Sequence, residues 1–392
     1  MSTRVSGSGV VPLWKPVRLA MRNAIVGVVR RVFATDDGRG IAEEALRGLL
    51  RAGAPFTPDD PLRTHQVYAE LGRPRAERPA RRGRPIFITG RFRSGSTLLW
   101  NIFRQVDGCT AYYEPFNERR WFEPAARGSR VDTTHLGVTD YWREYDGLEH
   151  LGQHYDERWS DRHLYMEADA WNPAMKAYVR AIIAAAPRRA VLQFNRIDFR
   201  LPWFRANFPD ATIVHLFRNP RDQWCSSLVD PRSFPSDRHL SQFEPHDHFY
   251  LLNWARDLKY RFPFLDERFV THPYQLFYFI WKLSYLFGVE YAHYSIALEH
   301  LVRNPERELL ALMRAVDIDT FDLNRLERCV ADQRPGKWRD YADNDWFAAH
   351  ESWCETVLDE FFGVATASTD REVRRGGRDA SARVLRIPGA HA

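Results

Sequence analysis

Residues 86–99 read I-F-I-T-G-R-F-R-S-G-S-T-L-L, an apolar run, a turn framed by two glycines, and a return to apolar residues. Strand, glycine-framed turn and helix in that order form a geometry in which backbone N–H groups converge on an anion. Gly90 and Gly95 bracket four residues, as in the loop that cradles nucleoside triphosphates. Ser96, however, stands where that loop carries the lysine that reaches the β- and γ-phosphates. Arg91 and Arg93 lie inside the turn, and a guanidinium offers a planar fork where lysine offers a movable point charge. The segment predicts an anion cradle at Ser94, Gly95, Ser96 and Thr97 for a donor other than ATP or GTP.

A second segment, residues 211–228, reads A-T-I-V-H-L-F-R-N-P-R-D-Q-W-C-S-S-L and again passes from an apolar run through a polar turn toward a helix. An NTPase strand at this place would end in the aspartate that holds Mg²⁺. This one ends in Arg218, followed by Arg221, Ser226 and Ser227, which are donors to an anion. The two segments together predict two phosphate sites without a metal between them.

R-F-R-S-G-S-T-L-L resembles the 5′-phosphosulfate loop of sulfotransferases that use 3′-phosphoadenosine 5′-phosphosulfate (PAPS). L-F-R-N-P-R-D-Q-W-C-S-S resembles their 3′-phosphate motif, with Arg218 and Ser226 eight residues apart. On that resemblance Arg93 takes the place of the basic residue that contacts the 5′-phosphosulfate and residues 94–97 supply the cradle; Arg91, the other arginine inside the turn, is a further cofactor-binding candidate. Looser likenesses run further along the chain. Phe208-Pro209-Asp210-Ala211 is similar to the turn before the 3′-phosphate strand, and Leu298-Glu299-His300-Leu301 to a segment beyond it. Arg334-Pro335-Gly336-Lys337-Trp338-Arg339 is similar to a late loop over the 3′-phosphate, which makes Lys337 and Arg339 further cofactor-binding candidates.

Twenty-one residues after Arg93 comes Glu114, in Tyr112-Tyr113-Glu114-Pro115-Phe116. This element is similar to the Glu-Pro element of carbohydrate sulfotransferases and to the spacing of the catalytic glutamate in tyrosylprotein members. Sulfuryl transfer needs a group that removes a proton from the attacking hydroxyl or amine. Flanking aromatic residues favour a partly desolvated carboxyl. Glu114 is therefore the expected base, with Arg93 stabilising charge. Many relatives carry a lysine where this chain has Gln193-Phe194-Asn195-Arg196; Arg196 stands near that place, and Asp198 is a second carboxylate close by.

The 392 residues, 44% hydrophobic and 14% aromatic, suffice for a full α/β core. Four cysteines at scattered positions form no metal-like spacing and no disulfide framework, which suits a reducing, cytoplasmic setting. His246, Asp247 and His248 have no second ligand cluster to join, so no metal is expected. Net charge is +8 over residues 1–85, +3 over 366–392 and −6 between them, which argues against a nucleic-acid-binding surface on the core. Residues 11–33 form a basic amphipathic stretch, too charged to span a bilayer but suited to peripheral contact with an anionic one.

The expected organisation is a basic helical extension and Pro/Arg-rich linker over 1–84, an α/β domain over 85–362 and a mobile tail over 363–392. The expected fold is a P-loop-like three-layer arrangement, with helices flanking a central parallel sheet whose strands include 85–89, 190–194, 211–217 and about 294–299. Residues 274–287, apolar nearly all round, predict a buried helix. The resemblance implies transfer from PAPS to a hydroxyl or amine of a small-molecule, carbohydrate or lipid acceptor. A P-loop kinase or NTPase and a non-catalytic nucleotide-binding protein are the alternatives. The sequence leaves the acceptor and the oligomeric state open.

Overall fold

The computed structural model describes residues 84–362, apart from 129–130, 133–134, 136 and 331–335. The basic extension, the linker up to residue 83 and the tail lie outside the described residues.

Five strands form one sheet: β1 (Ile86–Thr89), β2 (Cys109–Tyr113), β3 (Arg189–Phe194), β4 (Thr212–Phe217) and β5 (Tyr294–Ala297). Their order is β2-β3-β1-β4-β5 and every pairing is parallel. β1 is central, with Phe87 opposite Leu192 on one side and Ile213 on the other. Strands buried on both faces read as continuous apolar runs, and all four residues of β1 are buried. The Phe87 ring meets Phe194, Phe204 and Phe208 edge-on at 5.9, 5.6 and 5.4 Å. Burying one such side chain contributes about 1.5–3 kcal/mol relative to exposure.

Strands were expected at 85–89, 190–194 and 211–217, and β1, β3 and β4 occupy those places. The fourth ends early, at Ala297, because Leu298 and Glu299 already open a helix. β2 was not foreseen. Its C-T-A-Y-Y sequence is short and mixed, and it pairs through β3 alone at the edge of the sheet.

Among the described residues the α-helices are α1 (Ser96–Arg104), α2 (Pro173–Ala185), α3 (Leu201–Asn207), α4 (Pro220–Ser227), α5 (Leu251–Leu258), α6 (Pro273–Tyr291), α7 (Leu298–Arg303), α8 (Pro305–Ala315), α9 (Leu323–Val330) and α10 (Asn344–Phe361). The aromatic stretch lies in α6, buried throughout from Pro273 to Gly288. It starts from a capping box between His272 and Gln275. It approaches β4 closely at Gly288, where a Cβ would collide with the His215 ring. Helices α5 and α10 pack on its other sides. Among the described residues, no helix is long and apolar enough to cross a membrane.

From β1 the chain builds first toward β2 and β3, then crosses to β4 and β5. Such a change of direction opens a crevice at the carboxyl ends of the strands. The residues after β1, β2, β3, β4 and β5 are the segments that the sequence singled out.

Candidate active site

The turn after β1 is tight and strained. Arg93 has φ 66° and Gly95 φ 96°, and a Cβ on Gly95 would sit 2.8 Å from Leu298 Cδ1. Gly95 caps α1 without any side-chain hydrogen bond, and the first intrahelical bond runs from Leu99 N to Gly95 O at 3.1 Å. The amides of Ser96, Thr97 and Leu98 therefore have no intrahelical acceptor, and the helix dipole favours an anion there. Ser96 Oγ donates to Asn195 Oδ1 at 2.8 Å, and Thr97 Oγ1 pairs with the Tyr113 hydroxyl at 3.0 Å. Ser94 Oγ is buried and has no hydrogen-bond partner.

The turn after β4 comes to meet the first. Arg93 Nε donates to Ser226 Oγ at 3.0 Å, and Arg218 Nη1 donates to the Arg93 carbonyl at 3.2 Å. Burial lowers the Arg218 pKa, with Asp222 and Glu299 opposing that shift, and its Nε has no hydrogen-bond partner. Trp281 Nε1 holds the Arg218 carbonyl at 2.9 Å, and Glu299 accepts from Asn219 N at 2.8 Å. The third resembling segment thus lies against the second through Glu299.

The late loop joins the same side. Gly336 has φ 96° and is followed by a 3₁₀ turn at Lys337–Asp340. Trp338 packs between Arg221 and Arg339, with guanidinium carbons 4.8 and 4.6 Å from its ring centre. Lys337 and Arg339 are both exposed. Arg221 is committed elsewhere, as its Nε and Nη2 reach the two oxygens of Glu351 at 2.8 and 2.7 Å.

Glu114 follows β2 with φ 39° and is 5% exposed. Its Oε2 accepts from Asn117 Nδ2 at 2.5 Å and from Arg196 Nη1 at 3.0 Å, and its Oε1 accepts from Asn195 Nδ2. The desolvation expected from its neighbours is present, but a guanidinium accompanies the carboxylate into the interior. Arg196 also reaches Glu118 at 2.6 Å and lies 4.9 Å from the Phe92 ring centre. Asn195 carries both the cradle and the carboxylate, a role that the sequence did not reveal. Its only signal was its place directly after β3.

Three residues stand apart from this cluster. Arg91 is buried, with its guanidinium 4.3 Å from the Trp254 ring centre and its Nη1 unpartnered. Burial lowers its pKa to about 10, against the attraction of Asp198 and Asp247. Asp198 accepts from Thr89 Oγ1 at 2.6 Å and Ser284 Oγ at 2.9 Å, and burial raises its pKa. Asp247 caps α5 through Leu251 N and Leu252 N, both at 2.8 Å. Among the described residues, no group of three or more His, Cys, Asp and Glu is arranged to hold a metal.

The segment 85–277 matches the family model described as Sulfotransferase family. No curated protein matches the chain. Among solved structures, the chain is similar to a sulfotransferase from Alicyclobacillus acidocaldarius at 16% identity and TM-score 0.34, over 71% of this chain and 95% of that one. It is also similar to sulfotransferase STF1 from Mycobacterium tuberculosis at 17% and 0.37, over 72% and 77%. STF9 from Mycobacterium avium gives 14% and 0.36, over 72% and 78%. At this level of likeness the assignment rests on the sequence match.

Proposed function

We propose, for a chain that belongs through residues 85–277 to the sulfotransferase family, that it moves a sulfuryl group from PAPS to a hydroxyl or amine of a small-molecule, carbohydrate or lipid acceptor. The observation that carries this reading is a pair of buried donors, Ser94 Oγ and Arg218 Nε. They lack protein partners on two turns that the Arg93–Ser226 hydrogen bond joins. Buried polar groups in folded proteins are mostly satisfied, and these two, among several unpartnered atoms in the described residues, lie on the adjoining turns where an anionic ligand with two phosphate-bearing ends would sit.

In this reading the turn is a P-loop-like cradle. Arg93, Ser94, Gly95, Ser96 and Thr97 hold the 5′ end, with Arg91 buttressing the turn from the core over Trp254. Arg218 and Ser226, with Lys337 and Arg339, hold the 3′-phosphate. When bound, PAPS supplies an activated sulfuryl group and a stable leaving group.

The chain's own residues orient the reactants and move one proton. The Glu114 carboxylate, held by Asn117, Asn195 and Arg196, is the group that receives the acceptor's proton. Asn117, Asn195 and Arg196 fix the carboxylate plane. Arg93 and the free amides at the start of α1 stabilise negative charge on the donor side, the preorganised electrostatics that carry such transfers. Ser96 in place of the triphosphate-gripping lysine, and Arg218 at the end of β4, favour this over ATP chemistry.

Calorimetric titration with adenosine 3′,5′-bisphosphate tests the donor half. Saturable binding that Arg93→Ala weakens is expected; no binding by the wild type overturns the reading, and Mg²⁺-dependent ATP hydrolysis by the pure protein would replace it. Transfer of radiolabelled sulfate from PAPS across an extract of the native host then identifies the acceptor.

A further inference from the structure

Asp222 lies in the first turn of α4 and is 3% exposed. A carboxylate there is favoured by the helix's own N-terminus, yet both of its oxygens are directed elsewhere. Oδ2 accepts from Gly336 N at 2.7 Å and Oδ1 accepts from Trp338 N at 3.2 Å. These two amides flank Lys337, so the backbone is fixed on either side of that cation. The Trp338 ring, clamped by Arg221, lies under the Arg339 guanidinium. Lys337 and Arg339 themselves make no ion pair with a described residue.

We propose that Asp222 is a positioning residue for recognition of the 3′-phosphate. It latches the turn at 336–339 onto α4, so that Lys337 and Arg339 face the anion held by Arg218 and Ser226, while Asp222 itself never touches that anion. The inference rests on the sulfotransferase reading above. Long cationic side chains lose conformational freedom when they grip a ligand, and a backbone already fixed at both neighbours of Lys337 reduces that loss. The geometry also resolves an apparent conflict. A carboxylate beside a phosphate site would repel the ligand, but here its oxygens accept from two amides of the latched turn and its charge attracts the Arg218 guanidinium.

The test is the selectivity of the full chain for adenosine 3′,5′-bisphosphate over adenosine 5′-monophosphate, measured by calorimetry alongside the melting temperature. Asp222→Asn keeps the shape but turns an NH₂ group toward one of the two amides. Its affinity for the bisphosphate should fall roughly tenfold, since the two cations are then no longer held in place before binding. Its affinity for the monophosphate should not change. The double variant Lys337→Ala/Arg339→Ala should lose the same selectivity, and adding Asp222→Asn to it should cost nothing further, because the residues act through one another.

Equal losses for both nucleotides, or bisphosphate affinity untouched by Asp222→Asn, overturn the latch. Should Asp222→Asn fail to fold, the exposed double variant decides alone, and retained selectivity there sinks the proposal. A wild-type protein that shows no preference for the bisphosphate overturns the sulfotransferase reading itself. A wild-type preference that survives both variants overturns only the latch.

Discussion

Arg93 Nε donates to Ser226 Oγ at 3.0 Å, so the turn after β1 is tied to the last turn of α4 across 133 residues of sequence. The tie puts the two arginine-bearing turns on one crevice, and the second contact, from Arg218 Nη1 to the Arg93 carbonyl, repeats it through the backbone. Arg93 adopts a left-handed backbone conformation to do this, φ 66°, which a residue other than glycine rarely takes. Strain of this kind persists where the surrounding structure enforces it.

Arg93→Ala should lower sulfate transfer from PAPS by about 10²–10³-fold, the usual cost of losing one preorganised donor to developing charge. Single-turnover kinetics measure it. A loss of only a few-fold would move the charge-stabilising role to another cation.

Glu114→Gln should keep affinity for adenosine 3′,5′-bisphosphate and lose transfer, because an amide in the same place can be hydrogen-bonded but takes up no proton. Calorimetry and PAPS turnover on one preparation separate the two effects. Normal turnover would remove Glu114 from the role of base.

Arg196→Ala would leave the Glu114 carboxylate buried without its cation, since the two side chains are only 2% and 6% exposed. Breaking a buried pair from one side costs about 3–5 kcal/mol, which urea unfolding should register. Glu114→Gln/Arg196→Ala should recover part of that loss, as no uncompensated charge remains; additive losses would show that the pair is not the cause.

Acid should weaken the fold between pH 6.5 and about 3. Burial lowers the pKa of His215 and His272 to about 3 and of His135 to about 4, from an ordinary value of 6.5. These rings stay neutral in the folded chain while the unfolded chain takes up protons. Their contribution is therefore complete above 6.5 and is lost as pH falls through the window. Urea unfolding at several pH values gives the slope, and His215→Gln should flatten it by up to about one proton; an identical slope would exclude His215.

The sheet was legible where apolar runs were unbroken, as in β1 and β4, because central parallel strands bury both faces. β2 escaped notice because an edge strand needs no such run, and the helical start at Leu298 was hidden behind a similar apolar pattern. The turns after β1 and β4 were readable from glycine and arginine spacing, since each is made of contiguous residues. Asn195, Asp222 and the pairing of Arg196 with Glu114 were not, because each acts on a partner far along the chain, and only the crossing of strands brings the partners together.

Asn195 has one further consequence. Its carbonyl receives Ser96 Oγ and Gln193 Nε2, at 2.8 and 2.7 Å, while its NH₂ group faces Glu114. The amide is thus polarised in one sense only, and no rotation about its last bond preserves all three contacts. Aspartate, nearly identical in shape, would set like charges face to face at that point, so the smallest replacement available there is also among the most disruptive.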